Sequence, residues 1–347
     1  MDFKHFFIAQ TDTIIHAMKR IDTNAKGIVF VVDNTRLLAT VTDGDIRRHL
    51  LKGLPATDPV SMVANFKPSY IYASKKSDAK AILTRKKIKC LPVLDEHHHV
   101  LSIIWNDDYE CKMHTTLNVP VVIQAGGKGT RLYPYTQILP KALIPIGEIP
   151  ISERIIHKFT EYGCTDFFMI VNHKKKMIAS YFEEKTQPYS MKFIEETEFL
   201  GTGGGISLLK GKITDTFFFS NCDSIMIADY YDIYQFHKKN KNKITMVCSM
   251  KNISIPYGVV EIDREGGLLK MKEKPELSFL TNSGFYIIEP EVIDEIPKDT
   301  FIHITQIIQM QKDKGESIGV YPVSENSWLD MGQPEELNHM IKVLADE

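Results

Sequence analysis

The segment "VVDNTRLLATVTDGD" at residues 31–45 recurs without a gap as "VLDEHHHVLSIIWND" at residues 93–107, a shift of 62. Asp33 falls on Asp95, Leu38 on Val100 and Asp45 on Asp107. Nothing else restricts the first third of the chain so strongly, because a repeated unit of ~60 residues is marginal alone and two should pack on each other as one unit. Each copy follows a short apolar strand, "IVFV" or "CLPV", and an amphipathic segment, "TDTIIHAMKRI" or "SDAKAILTRKKI". The pattern predicts helix, strand, tight turn, strand, helix in each copy, with the two copies packed on each other. His97-His98-His99 falls where the second turn is expected, which favours a solvated turn over a metal site.

This arrangement resembles a tandem pair of CBS domains over roughly residues 1–112, a smaller α+β module whose cleft often holds adenosine nucleotides. The resemblance implies a Ser/Thr-x-x-Asp motif after the second strand, and Thr42 and Asp45 fit it as an adenylate site. In the second copy Ile104 stands at the hydroxyl position although Asp107 remains, so one complete site at most is implied. A packing or dimerisation module without ligand is the equal alternative, and a homo-oligomer is expected. "ECKMHTTLNVP" is polar and ends in Pro120, which places a linker at 113–119 before a second domain at 120–347.

A chain of 347 residues that is 43% apolar and 25% charged suits two ordinary globular domains. A net charge of −2 gives no footprint for nucleic acid or anionic lipid. The absence of a membrane-length apolar run or signal-peptide start, and five scattered cysteines without a C-x-x-C pair, lead us to expect a cytoplasmic protein without membrane partners.

After Pro120 the pattern alternates strand and helix, with buried-strand candidates "VVIQA", "DFFMIVN" and "TFFFSN" and the helix "PISERIIHKFTEYG". That order predicts a mostly parallel sheet covered on both faces, turning mixed over the strand-rich residues 244–288. The first strand runs into "GGKGTRLYPYTQILPKALIPIG". This is neither a Walker A loop nor a dinucleotide fingerprint, since the required glycines and Gly-Lys-Ser/Thr ending are missing. Gly126, Gly127 and Gly129 nevertheless let backbone N–H groups approach an oxyanion closely. Arg131 adds a planar fork and Lys141 a point charge, the grammar of a phosphate site beyond the carboxyl ends of the strands.

"GGKGTRLYP…PKALIPIG" resembles the G-G-x-G-T-R-L-x-P…P-K signature of sugar-1-phosphate nucleotidyltransferases, and further landmarks follow in that family's order. They are "EFLGTGGGI" (198–206), "FFFSNCDSI" (217–225), "PYGVVEID" (256–263), "KEKP" (272–275), "NSGFYIIEP" (282–290) and "WLDMGQPEEL" (328–337). The resemblance implies a Rossmann-like nucleotidyltransferase fold and a transferase of the EC 2.7.7 class that joins a nucleoside triphosphate to a sugar 1-phosphate. It places the nucleotide at Gly126, Gly127, Gly129, Thr130, Arg131, Gly201, Thr202 and Gly203. Tyr257, Gly258, Glu273, Lys274 and Asn282 would hold the sugar phosphate. Asp223 and Asp330 would hold Mg²⁺, and Arg131, Lys141 and Asp223 would carry catalysis.

The sugar phosphate is already an anionic nucleophile near neutral pH, since the second phosphate pKa is about 6, so no general base is required. Catalysis then reduces to positioning and cationic stabilisation of phosphates. Three departures stand out: Ala142 where the second Pro of Pro-Lys-Pro is usual, Cys222 where Asn-Gly-Asp has Gly, and Gly203-Gly204-Gly205 in the base segment. A side chain at 222 is expected to crowd the metal site. The combination with a CBS pair resembles guanylyltransferases that make GDP-sugars for bacterial surface glycans, including the route to nonulosonic acids, which favours GTP. CTP or UTP with another phosphorylated acceptor remains open. So does a degenerate nucleotide-binding regulator with adenylate-sensing CBS domains.

Overall fold

The computed structural model describes residues 4–24, 26–86, 88–106, 116–184 and 186–344. Asp107, Cys111 and residues 113–115 of the expected linker lie outside the described residues. The chain divides into two compact units, Met1–Met113 and His114–Glu347.

The first unit contains two three-stranded sheets, β1 (Phe7–Ile8), β2 (Ile28–Asp33) and β3 (Arg36–Thr42), then β4 (Ile71–Tyr72), β5 (Cys90–Leu94) and β6 (Val100–Trp105). In each, the first strand is parallel to the second and the second antiparallel to the third. A register shift falls between Val31 and Val32 in one sheet and between Val93 and Leu94 in the other, the same place at the repeat offset. The sequence repeat is thus a backbone repeat down to a single bulge. Helices Ile14–Asn24 and Ala79–Lys86 occupy equivalent positions. One apolar cluster draws Phe30, Val32 and Leu37 from the first copy and Cys90, Leu94 and Val100 from the second, so neither copy buries its face alone. The histidine run is a hairpin turn: the Asp95 carboxylate accepts from the His97 and His99 N–H groups at 2.9 and 2.8 Å.

The second unit starts with β7 (Val121–Gln124), followed by the short hairpin β8 (Pro145–Ile146) and β9 (Ile149–Pro150). β10 (Asp166–Val171), β11 (Ser190–Glu195), β12 (Phe217–Asn221) and β13 (Ser224–Met226) come next. Then follow β14 (Ile244–Ser254), β15 (Val259–Ile262), β16 (Leu268–Lys272), β17 (Glu276–Ile288), β18 (Ile318–Val323) and β19 (Trp328–Asp330). Seven of these form one sheet in the order β11-β10-β7-β12-β17-β14-β18. Only β17 runs against the rest.

Alternation decides how this sheet is covered. Val121, Ile123 and Phe218 pack with Ile155 and Phe159 of helix Ile151–Thr160, whereas Val122, Phe217 and Phe219 pack with Ile304 and Ile307 of helix Ile304–Asp313. Both faces are buried, so the strands read as continuous apolar runs. β15 and β16 form a separate two-stranded ribbon whose Val260, Ile262, Leu269 and Met271 are all exposed.

Candidate active site

The glycine loop leaves the carboxyl end of β7. Gly129 has φ +67°, and a Cβ there would meet Thr136 Cγ2 at 3.0 Å and Lys141 Cβ at 3.2 Å, so both backbone conformation and space require glycine. A 3₁₀ turn at Thr130–Leu132 follows and presents Arg131 to an open cavity. Pro140 starts a second 3₁₀ turn, Lys141–Leu143, whose Lys141 ammonium pairs with the Asp223 carboxylate. Asp223 sits in the tight connection after β12. The β13–β19 ladder sets Ser224 opposite Asp330, which brings two carboxylates far apart in sequence side by side. The cavity is lined by Arg131, Thr202, Asp223, Asn282 and Asp330 together with Asn221 and Trp328.

Burial, and then the charges of Asp223 and Glu336, push the Asp330 carboxyl up to about 7, against the pull of Lys141 and the Gly332 N–H. Burial alone would lower the Lys141 ammonium, but the Asp223 carboxylate that pairs with it, helped by Asp330, outweighs burial and holds the group above its ordinary value. This is the electrostatics of a site short of positive charge: two part-buried carboxylates share a single lysine. Two carboxylates are also what Mg²⁺ takes when waters and phosphate oxygens complete its shell. Among the described residues no group of three or more His, Cys, Asp or Glu side chains could hold a metal, so Asp223 and Asp330 fit only as a partial set that substrate would finish. The Cys222 thiol belongs to the apolar cluster with Phe218 and Phe285 and is pushed up to about 12 by burial. It is a neutral core side chain. Ala142 is also buried, and its carbonyl accepts from Ser152 Oγ at 2.7 Å.

The second glycine segment is shaped by close backbone approach. Gly201 has φ +83°, and a Cβ there would meet Ile302 O at 2.6 Å. The Gly203 and Gly204 N–H groups donate to that same carbonyl at 3.0 and 3.1 Å. Thr202 Oγ1 accepts from the Ile304 N–H at 3.2 Å.

Sequence reasoning missed the group between the two glycine segments. Glu196 is 1% exposed, and burial raises its carboxyl to about 7 against the lowering influence of Gln124 and the Leu200 N–H. Neither reaches hydrogen-bonding geometry: both Glu196 carboxylate oxygens and Gln124 Oε1 are buried without a hydrogen-bond partner. A Cβ on Gly126 would strike Glu196 Oε2, and one on Gly205 would lie 2.6 Å from Glu196 Oε1. The available signal was Gln124, a polar residue ending an apolar strand beside the glycine loop. Trp328 Nε1, in a residue that lines the cavity, is likewise buried without a hydrogen-bond partner.

The sugar-phosphate candidates divide. Asn282 lines the cavity and donates to Tyr286 Oη at 2.7 Å. Tyr257, Gly258, Glu273 and Lys274 lie at the base of the β15–β16 ribbon, outside the residues that line the cavity. There the Lys274 N–H donates to Tyr257 O at 3.2 Å, Lys274 has φ +42°, and the Tyr257 side chain is 74% exposed. In the first unit, Thr42 and Asp45 cap helix Asp43–Leu50 reciprocally, with Thr42 Oγ1 donating to Asp45 Oδ2 at 2.6 Å and Asp45 also paired with Arg48.

Comparison with known proteins identifies the family of the second unit. Residues 120–347 match the family model described as nucleotidyl transferase, and residues 2–52 match that of the CBS domain. The chain is 30% identical over 236 residues to the bifunctional protein GlmU of Methanococcus aeolicus, covering 64% of this chain and 54% of that protein. It is 29% identical over 227 residues to a mannose-1-phosphate guanylyltransferase of Mycobacterium tuberculosis, covering 64% of this chain and 63% of that one. It therefore spans between half and two thirds of the length of these relatives. The fold is shared with HddC from Yersinia pseudotuberculosis, solved with GMP-PN, at a TM-score of 0.52 and 22% identity, over 65% of this chain and 99% of that one. A family match across well over half of the chain, joined to the assembled glycine loop and paired aspartates, establishes that this chain belongs to the nucleotidyl transferase family.

Proposed function

We propose that the chain transfers GMP from GTP to a sugar 1-phosphate, releasing pyrophosphate and forming a GDP-sugar. The sugar phosphate oxygen bonds to the α-phosphorus while the bond to the bridging oxygen of the leaving pyrophosphate breaks. The nucleophile arrives as an anion, so no side chain need take its proton. Backbone N–H groups at Gly126, Gly127 and Gly129 and the Arg131 fork bind and orient the triphosphate. Lys141, held beside Asp223, supplies charge to the α-phosphoryl group as it transfers. Asp223 and Asp330 would hold Mg²⁺, which when bound neutralises phosphate charge. Lys274 and Asn282 receive the sugar phosphate.

The observation that carries the choice of base is the orphaned Glu196 carboxylate beside Gly126 and Gly205. A carboxylate offers two acceptors and no donor. Guanine alone among the common bases presents two adjacent donors, N1–H and N2–H₂, on one edge; uracil and adenine alternate donors with acceptors there, and cytosine sets one donor beside two acceptors. The match of a neighbouring fold to a protein crystallised with GMP-PN supports the same reading. At the first unit, an adenine nucleotide using Thr42 and Asp45 would replace their mutual capping bonds, so calorimetry with AMP and ATP tests that assignment directly. For the transferase, pyrophosphate release is measured over a panel of nucleoside triphosphates crossed with sugar 1-phosphates. Turnover only with GTP is expected. Turnover confined to CTP or UTP would overturn the base assignment. Nucleotide binding with no pyrophosphate from any pair would support a regulatory protein instead.

A further inference from the structure

Lys174 stands outside every motif discussed above, yet it is tied to the phosphate loop. It is the N-cap of helix Lys175–Glu183, just beyond the carboxyl end of β10, and adopts φ +54°, a left-handed conformation disfavoured for a residue with a Cβ. Its ammonium donates to Gln137 O at 2.6 Å and to Thr136 O at 3.0 Å. Those carbonyls belong to the single-turn helix Tyr135–Ile138, too short to satisfy them internally, and a cation is the partner that a helix C-terminus favours.

The contact continues inward. Thr136, 1% exposed, donates from Oγ1 to Gly129 O at 2.8 Å, and the Leu132 N–H donates to the same carbonyl at 3.0 Å. Gly129 in turn packs against the Lys141 stem, and Lys141 pairs with Asp223. From this chain of contacts we infer that Lys174 is a positioning residue, a strap that fixes the phosphate loop and, through it, the Lys141 ammonium. It is not among the residues that line the cavity. Backbone strain maintained at one residue whose side chain then braces a binding loop is the pattern expected where geometry must be held for function. The inference rests on the reading of the glycine loop as the triphosphate holder, and the experiment separates the two.

Hydrogen exchange is followed in the full chain for Lys174→Met, Lys174→Arg, Lys174→Gly and Thr136→Val, with steady-state kinetics alongside. In Lys174→Met, amides over residues 129–137 should exchange at least ~10-fold faster, with β10 and the first unit unchanged. The kcat should fall by ~10-fold while the melting temperature stays near wild type. Lys174→Arg should recover both readouts to within about threefold, since it keeps the charge and the donors. Lys174→Gly should behave like Lys174→Met although it relieves the left-handed strain, because the amine rather than the backbone conformation does the bracing. Thr136→Val should reproduce the exchange effect, and adding Lys174→Met to it should add little. Unchanged exchange in residues 129–137 for Lys174→Met would overturn the strap, as would loss in every variant in proportion to a fall in melting temperature. If the wild-type chain releases no pyrophosphate with any substrate pair, the proposed function fails while the exchange data still decide the strap.

Discussion

Around Glu196, Gly201 and Lys141 the second unit is packed and paired: Gly201 and Gly203 lie on the 302–304 backbone, Glu196 is sealed in, and Lys141 is matched to Asp223. The β15–β16 ribbon is the opposite, with every residue of β16 exposed and Tyr257, Gly258, Glu273 and Lys274 at its base. A two-stranded ribbon is marginally stable in water unless something covers it, whereas close-packed interiors hold their geometry. On the proposed assignment, the elements that meet the nucleotide are already packed and an entering base has only to uncover Glu196, whereas sugar-phosphate binding must order its own half. Substitutions in the packed region should therefore cost chemistry or base selection, and substitutions on the ribbon should cost acceptor affinity.

The largest effect should come from the packed region. Asp223→Asn is expected to lower kcat by at least ~100-fold, about 2.7 kcal/mol of lost transition-state stabilisation, with the fold intact by circular dichroism. Asp330→Asn should behave similarly. The double variant should fall far short of the product of the two, because both carboxylates serve one centre. Asp223→Asn turning over near the wild-type rate would remove the carboxylate pair from the mechanism and dissolve the contrast with the ribbon.

Next is Glu196→Gln. A carboxamide presents one acceptor and one donor, so its amide faces a guanine donor. GTP kcat/KM should fall roughly 10- to 100-fold, the range that one bidentate base contact is worth. UTP, with its acceptor beside N3–H, should be affected less or improve. An unchanged GTP-to-UTP ratio would place the base elsewhere.

Much of the first contrast was legible in the sequence, for identifiable reasons. The glycine loop, Arg131, Lys141, Asp223 and Asp330 sit at strand ends fixed by apolar runs, and the structure brings all of them except the loop glycines and Lys141 to the cavity wall, with Lys141 joined to Asp223. The two-copy architecture of the first unit was legible because its bulges repeat along with its residues. Glu196 was not, because one carboxylate in the acidic run "EETE" signals nothing until burial and missing partners are known. Lys174 escaped for a similar reason: its role lies in backbone carbonyls of residues 136 and 137, which no sequence pattern marks. Crowding of the metal site by Cys222 was expected from its added side chain, but that thiol packs into the core.

On the ribbon, Lys274→Ala should raise KM for the sugar phosphate roughly 10-fold, as loss of one charge-assisted hydrogen bond implies, with the GTP KM nearly unchanged. A change confined to the GTP KM would mean that the ribbon serves the nucleotide, and the division between the two regions would be reversed.

The smallest expected effect is a pH dependence that only the packed region should show. Burial raises the Glu196 carboxyl to about 7 in the free protein, above its value in an unfolded chain. The folded form therefore retains a proton that the unfolded form has released, which contributes stability at lower pH. That contribution is lost as pH rises through about 7. Guanine's donors favour the ionised carboxylate, so GTP should bind better as the proton leaves. Between pH 6 and 8 the GTP KM should fall by up to about tenfold and level off above 7, while the unliganded protein loses thermal stability that saturating GTP restores. The phosphates of GTP titrate in the same range, so Glu196→Gln is the necessary control. Its GTP KM should retain only the dependence that comes from the phosphates and from Asp330, whose carboxyl is also raised to about 7, and Lys274→Ala should retain the full wild-type profile. If wild type and Glu196→Gln gave superimposable KM profiles, the Glu196 carboxyl would not be the group that guanine meets.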